Sequence, residues 1–260
     1  MSVYFTYAII IFLANVVGSI AGMGGGVIIK PLLDLVGAHP LVQVNFFSSV
    51  AVFTMAIFST YRQAKQGFSI DRRFAIMTSA GAVIGGWLGN TTFDQLHLLL
   101  HNDGLLNQIQ IALTVLTLIF ALFYSLFPAI HFNWRRNWQL LIIGIFLGWI
   151  STLLGIGGGP INVALLMLCC SFPIREATIY SIVTILFSQL AKLAAVVFTG
   201  AALHFDLMAL WFVIPAAAIG GTVGAFFSHT VRTEQIVLVY RFAIFGVIMI
   251  NLYNNYLLLA

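Results

Sequence analysis

The sequence is 260 residues long, 61% hydrophobic and only 7% charged, with a mean hydropathy of +1.06 and a formal net charge of +4. Soluble domains contain roughly 25% charged residues, so this composition excludes an ordinary soluble globular protein. We expect a single integral membrane domain, residues 1–260, without a sizeable soluble part.

The first predicted element is a hydrophobic segment at 3–37. It lacks the positively charged start of a signal peptide, so we expect it to be retained as a membrane segment. It contains the glycine-rich stretch AGMGGGVIIKP at 21–31, although glycine costs about 1 kcal/mol relative to alanine inside a helix. About 35 residues are also too many for one crossing at roughly 1.5 Å per residue. The segment therefore predicts a broken or re-entrant helix.

Further apolar segments follow along the chain. Runs of about 18 to 25 residues cross a bilayer as helices, and these runs lack the alternation of membrane barrels, so the sequence predicts an all-α integral membrane protein. The segment at 138–170 is again too long for one crossing, and it contains a second glycine-rich stretch, LLGIGGGPINV at 153–163. The segments lie at 41–61, 74–93, 105–128, 138–170, 174–198, 207–228 and 236–258.

The two halves of the chain resemble each other. The glycines of a first glycine run, residues 22–26, coincide with those of a second glycine run, residues 155–159, at a shift of 133 positions. Further along, GAVIGGWLGN at 81–90 meets AAAIGGTVGA at 216–225 at a shift of 135. We predict a tandem duplication with about four hydrophobic segments in each repeat. Repeat one spans 1–133 and repeat two spans 134–260.

Two stripes of small residues lie outside the glycine runs. Gly81, Gly85 and Gly89 stand four apart, and Gly220 and Gly224 repeat this spacing in the second half. Such small-xxx-small patterns let two membrane helices approach closely. We expect these glycines to serve helix packing rather than a site.

The relative direction of the two repeats depends on whether each glycine run turns the chain back. If it does, the basic loops share one face, the positive-inside rule makes that face cytoplasmic, the N-terminus lies outside and the repeats are inverted. If both long segments cross fully, Arg175 and Arg232 move outside and the repeats are parallel. The charge count favours inversion. The loop cations are Arg62, Lys65, Arg72, Arg73, Arg135, Arg136, Arg175 and Arg232.

Two explanations for the glycine runs remain open. One is a tight helix crossing, because glycine lets another backbone come close. The other is a transport site, because amides freed by glycine form anion-binding nests, and a helix that starts after the run adds the positive end of its dipole. Inverted repeats that bring two broken helices together build such sites. The glycines predicted to line it are Gly22, Gly24, Gly25, Gly26, Gly155, Gly157, Gly158 and Gly159.

Polar side chains near the glycine runs are further candidates for the site. Lys30 lies one helical turn after Gly26 and either neutralises an anion or pairs with Asp34, four residues on. Lys192 either joins the site or extends to the outer interface. Each neutral group either binds the substrate or ties helices together. The neutral candidates are Asn45, Ser48, Ser49, Asn162, Thr178, Ser181 and Gln189.

The stretch GSIAGMGGGVIIKPLL at 18–33, followed by NFFSSVAVF at 45–53, resembles the sulfite exporter TauE/SafE family of membrane transporters. The second half departs from the family pattern, since Pro160 directly follows Gly159 and Ala164 stands where a proline is expected. The Thr-Ser pair of the family is Ser48-Ser49 here. The resemblance implies two repeats of four hydrophobic segments and export or passage of small sulfur-containing anions such as sulfite or organosulfonates.

We therefore expect a secondary transporter of a small anion that works by alternating access between the glycine runs. A passive anion channel and a membrane-embedded enzyme or assembly factor are the alternatives, although no catalytic constellation or ATP-binding motif is evident. The expected partners are a small anionic substrate and the lipid bilayer, with no cofactor, metal or nucleic acid. The expected location is the bacterial plasma (inner) membrane, as a multi-pass protein. Substrate, direction, coupling ion and oligomeric state are left open.

Overall fold

The computed structural model describes residues 2–65, 71–127 and 130–259 of the chain. Parts of the predicted loops 62–73 and 129–137, and the last residue of the segment 105–128, lie outside this range. Within it the fold is helical and contains no strand, which confirms the all-α prediction. The helices are α1 (Ser2–Ala21), α2 (Gly26–Val36), α3 (Leu41–Lys65), α4 (Arg72–Leu100), α5 (Asp103–Leu126), α6 (Asn137–Leu153), α7 (Gly159–Cys170), α8 (Ile174–Phe198), α9 (Leu210–Thr230) and α10 (Thr233–Leu259).

Both long predicted segments are broken at their glycine runs. The first is divided into α1 and α2, and the second into α6 and α7. With 11 and 12 residues, α2 and α7 are too short to cross a hydrocarbon core about 30 Å thick. Six helices in the described part are long and apolar enough to cross a membrane, namely α1, α3, α5, α8, α9 and α10.

The chain returns after the second glycine run to the side from which it came. The stretch that precedes α6 lies beside the end of α7, where Phe132 N donates to Leu168 O at 2.7 Å and Trp134 N donates to Cys169 O at 2.9 Å. The hydroxyl of Ser171 also donates to Phe132 O at 2.9 Å. The start of α6 and the end of α7 therefore lie at the same face of the protein.

The first glycine run has the same effect at the opposite face. His39, which follows α2, lies 2.9 Å from the hydroxyl of Tyr7 in α1 and 3.5 Å from the carboxylate of Asp206. Tyr4, at the start of α1, donates to the same carboxylate at 2.5 Å. This hydrogen bond lowers the pKa of Asp206, so the carboxylate is ionised near neutral pH. Both ends of the α1–α2 hairpin thus lie beside the connection between α8 and α9.

The cations gather at the face where α6 begins. Arg73 there donates to Asn137 at 2.6 Å, Arg175 donates to His229 O at 2.7 Å, and the guanidinium of Arg62 lies over the ring of Phe226. Three cations lie inside helices instead. Lys30 and Lys192 are buried, and Arg241 of α10 donates to Ser125 near the end of α5 at 3.0 Å. From the two hairpins and this distribution we infer that the repeats are inverted, with the basic face in the cytoplasm.

Small residues hold the two predicted repeats together. A Cβ on Gly85 of α4 would collide with the carbonyl oxygen of Ile145 in α6. In the corresponding place, a Cβ on Gly220 of α9 would lie 2.7 Å from the carbonyl oxygen of Phe12 in α1. Each stripe therefore packs a helix of one half against the first arm of the hairpin in the other half, as the spacing of the small residues predicts.

The orientation can be tested with single cysteines in a protein whose Cys169 and Cys170 are replaced by serine. Leu203 lies in the connection after α8, and Glu234 lies in the first turn of α10; both are exposed. In intact cells a membrane-impermeant maleimide should label Leu203→Cys, and it should label Glu234→Cys only after permeabilisation. The opposite labelling pattern would place the basic face outside and contradict the assigned orientation.

The packing interpretation predicts that Gly85→Leu destabilises the protein strongly, since overpacking costs about 1–3 kcal/mol or more. Gly246→Leu in α10 is the control, because among the described residues no atom outside its own helix backbone lies within 4 Å of its Cβ position. Thermal unfolding in detergent should show a lower melting temperature for Gly85→Leu and a value near the wild type for Gly246→Leu. Equal melting temperatures would rule out the tight crossing.

Candidate functional site

The two glycine runs lie against each other in the interior. A Cβ on Gly24 would lie 3.1 Å from the carbonyl oxygen of Gly157, and one on Gly26 would collide with the carbonyl of Ile156. The residues of both runs are buried. Main chain therefore meets main chain at this point, and a side chain on either glycine would force the hairpins apart.

The first two pairs of corresponding glycines have the same left-handed backbone. The φ angles are 67° at Gly22 and 68° at Gly155, and they are 69° at Gly24 and 72° at Gly157. Residues with a Cβ rarely adopt this conformation, so glycine is required here by backbone geometry as well as by space. The two runs thus begin their turns in the same way and then differ, since φ is −65° at Gly25 and 107° at the corresponding Gly158.

Each glycine run contacts the long helix of the other half. A Cβ on Gly22 would collide with Thr178 of α8, and one on Gly155 would collide with the amide of Asn45 in α3. Thr178 and Asn45 occupy corresponding positions, at the shift of 133 that relates the two runs. Apolar side chains fill the space beside the runs, since Val52 would lie 2.6 Å from a Cβ on Gly157. The surroundings of the two runs are therefore partly polar and partly apolar.

Several predicted site residues around this contact have polar atoms without a partner. Both amide atoms of Asn45 and Asn162, and the hydroxyls of Ser48 and Ser181, form no hydrogen bond within the described residues. These four residues are at most 2% exposed. A buried polar group without a partner costs roughly 1–3 kcal/mol. The arrangement therefore provides several hydrogen-bonding groups that the protein itself does not use.

The two amides lie close to the glycine runs, and Ser48 and Ser181 each stand one helical turn after a residue that contacts a run. The amide nitrogen of Asn162 would be 2.5 Å from a Cβ on Gly158, which directly precedes α7 and has a φ of 107°. The first amides of a helix have no partner inside it, and its N-terminus carries partial positive charge. Unpaired side-chain donors and a helix start therefore occur together here.

Other candidates are bonded within the protein. The hydroxyl of Ser49 donates to Asn45 O at 2.7 Å, within its own helix. The amide of Gln189 donates to Ser151 Oγ at 3.3 Å, while its own oxygen has no partner within the described residues. The carbonyl of Ser151 accepts from Gly157 N at 3.3 Å, so Gln189 is connected to the second glycine run. The Ser49 hydroxyl is therefore used within its own helix, whereas the side-chain oxygen of Gln189 remains free to accept a hydrogen bond.

The two lysines differ in their contacts. Lys30 donates to Asp34 at 2.9 Å and to Asn107 at 3.0 Å, so the structure contains the ion pair that the spacing of four residues allows. Lys192 is only 5% exposed and does not extend to the outer interface. Its ammonium contacts Asn45 O at 3.5 Å. Lys30 is already neutralised, and Lys192 contacts the backbone of Asn45, a residue whose side-chain amide is unpaired in the described chain.

Sequence reasoning missed two features of this region. Asn15 of α1 is fully buried beside Gly25, and both of its amide atoms are unpaired within the described chain. Ile185 would lie 3.3 Å from a Cβ on Gly24. An asparagine within the apolar segment at 3–37 was a usable signal for Asn15. Nothing in the sequence distinguishes Ile185 from other apolar residues of α8.

Comparison with known proteins gives a match over nearly the whole chain. A family model described as sulfite exporter TauE/SafE matches residues 7–252. A relative from Bacillus subtilis (strain 168), named "Probable membrane transporter protein YunE", is 24% identical over 258 residues, which cover 88% of this chain and 90% of the relative. No solved structure matches the chain significantly.

The contact between the runs predicts that alanine substitution lowers thermal stability by different amounts at two glycines that both have positive φ. Gly158 is crowded by Asn162 and Ile185, whereas beyond its chain neighbours no atom in the described part of the chain lies within 4 Å of the Cβ position of Gly200. Both substitutions by alanine carry backbone strain, but only Gly158→Ala also displaces neighbours. We expect a substantially larger loss of thermal stability for Gly158→Ala than for Gly200→Ala. Equal losses would mean that the second run is not tightly packed.

Proposed function

The chain belongs to the sulfite exporter TauE/SafE family, and on this premise we propose that it is a secondary carrier that binds a small anion between its two glycine runs. It is a multi-pass integral protein of the bacterial plasma membrane and a transporter rather than an enzyme.

The main support is a set of buried polar groups without a partner in the described residues. The amides of Asn45 and Asn162 lie against Gly155 and Gly158, and the hydroxyls of Ser48 and Ser181 lie in α3 and α8, the helices that contact the two runs. No carboxylate belongs to the set. Besides the acceptor oxygens of its two amides, it offers two NH₂ groups and two hydroxyls that can donate hydrogen bonds. An oxyanion accepts several such bonds at once, and burial strengthens them. The chemistry of the site therefore favours an anion over a cation.

The expected substrates are sulfite and small organosulfonates. A sulfite or sulfonate group has three oxygen atoms that accept hydrogen bonds, which suits a site with donors from both halves of the protein. The description of the family model as a sulfite exporter supports the sulfur chemistry. The unpaired donors support an oxyanion independently of that description.

Alternating access accounts for the closure of the site at both faces. Tyr4 and Asp206 join the two halves at the outer face, and Asp71 N and Tyr180 join them at the basic face at 2.9 Å. In inverted-repeat carriers, one part rocks against the other around a fixed central site. We propose that the contacts at each face break in turn while the glycine runs hold the anion.

The closure also favours a carrier over the channel alternative. An open channel needs a continuous path, whereas the residues of both glycine runs are buried. Counterflow in proteoliposomes separates the two, because only a carrier moves labelled substrate against its own gradient when unlabelled substrate leaves. We expect transient accumulation of ³⁵S-sulfite under anaerobic conditions. Equilibration without accumulation would support a channel, and a chemically altered product would support an enzyme.

The unpaired amide of Asn162 allows a direct test of function against stability. Asn162→Ala removes a group that bonds to nothing in the described protein, so thermal stability should be unchanged or higher. Loss of its bond to the anion should lower transport by about tenfold, the equivalent of roughly 1.4 kcal/mol.

The matched control is Asn251→Ala, because Asn251 is buried and donates within its own helix to Val247 O at 2.8 Å. This variant should transport at the wild-type rate. The proposed site is wrong if Asn162→Ala transports as fast as the wild-type protein.

A further inference from the structure

Lys192 is a buried cation within a membrane helix. It lies in α8, one turn after Gln189, and is 5% exposed. A charged group in the hydrocarbon region is costly, and such residues usually face a partner or a cavity. Its position therefore requires an explanation.

The protein provides little compensation for this charge. In the described part of the chain the ammonium of Lys192 donates one hydrogen bond, to the carbonyl oxygen of Asn45 at 3.5 Å, which is long. Within the described residues, no carboxylate oxygen lies within 4.0 Å of the ammonium. At longer range Asp94 attracts it and Lys30 repels it. Asp94 itself is exposed and bonded to Asn90 at 2.9 Å.

Lys30 does not fill the same role. Its ammonium is held by the carboxylate of Asp34 and by the amide oxygen of Asn107. That ion pair is neutral and has the local i, i+4 geometry of a helix. A transported anion would have to displace Asp34 to use Lys30, whereas it can approach Lys192 without breaking an ion pair.

Lys192 is also connected to the proposed site. The residue whose carbonyl it contacts, Asn45, presents its unpaired amide against Gly155. Gln189, on the preceding turn, reaches the second glycine run through Ser151. An anion beside Asn45 would therefore meet the ammonium, the amide and the glycine run in one place.

We propose that Lys192 provides the positive charge that binds the transported anion, beside Asn45 and the second glycine run. This inference rests on the proposed function and specifies it further: the bound substrate carries at least one negative charge, and its charged group lies toward the outer end of α3. Lys30 then serves the fold through its pair with Asp34.

The test compares Lys192→Met with Lys30→Met and measures two quantities in detergent for the full-length protein. One is the melting temperature without ligand, and the other is its rise on addition of sodium sulfite or sodium methanesulfonate, relative to sodium chloride at equal ionic strength. Lys192→Met should have the same or a higher melting temperature without ligand, and it should bind sulfite about ten- to a hundredfold more weakly. Lys30→Met should lower the melting temperature without ligand, but sulfite should still raise the melting temperature of this variant.

Lys192→Arg keeps the charge and should restore most of the ligand-induced rise. The inference is overturned if Lys192→Met binds and transports sulfite as the wild type does. It is also overturned if Lys192→Met unfolds while Lys192→Arg folds, because the charge would then serve the fold. If the wild type shows neither counterflow nor a ligand-induced rise with either anion, the proposed function fails instead.

Discussion

The architecture depends on one contact, in which the main chain of Gly24 lies against the main chain of Gly157. Two hairpins that enter from opposite faces can reach each other only if neither carries a side chain at this point. The left-handed φ values at both glycines impose the same requirement on the backbone. The small-residue stripes of α4 and α9 then fasten each hairpin to the other half. Glycine therefore serves three purposes here: it allows the main-chain contact between the runs, it adopts the left-handed φ, and it lets α4 and α9 pack closely.

This contact also explains why the interior can hold unpaired polar groups. In a bilayer, broken helices persist only where their backbone groups are buried in protein or line a cavity. Here the breaks are buried, and Asn15, Asn45 and Asn162 surround them without hydrogen-bond partners in the described chain. Such groups lower stability, so the close helix packing elsewhere must offset them. Groups that oppose folding and yet cluster at one place are expected where binding is the function.

Much of this fold could be predicted because its signals are local. Segment length and hydropathy predict the helices, and glycines inside segments that are too long predict the breaks. The four-residue spacing of Lys30 and Asp34 is compatible with an ion pair but does not establish one, because the sequence allows equally well that Lys30 binds an anion. The role of Lys192 was harder to predict, since a lysine near the end of a membrane helix commonly extends to the interface. Its burial depends on how α3 and α4 cover α8, which no local pattern reveals.

The most direct test is a crystal structure of the protein with selenite, a heavier analogue of sulfite whose selenium atom can be located by anomalous scattering. The account predicts one strong selenium peak between the two glycine runs, within hydrogen-bonding distance of Asn45 or Asn162 and close to Lys192. Peaks found only at the basic surface, with the glycine runs packed as they are here, would contradict it.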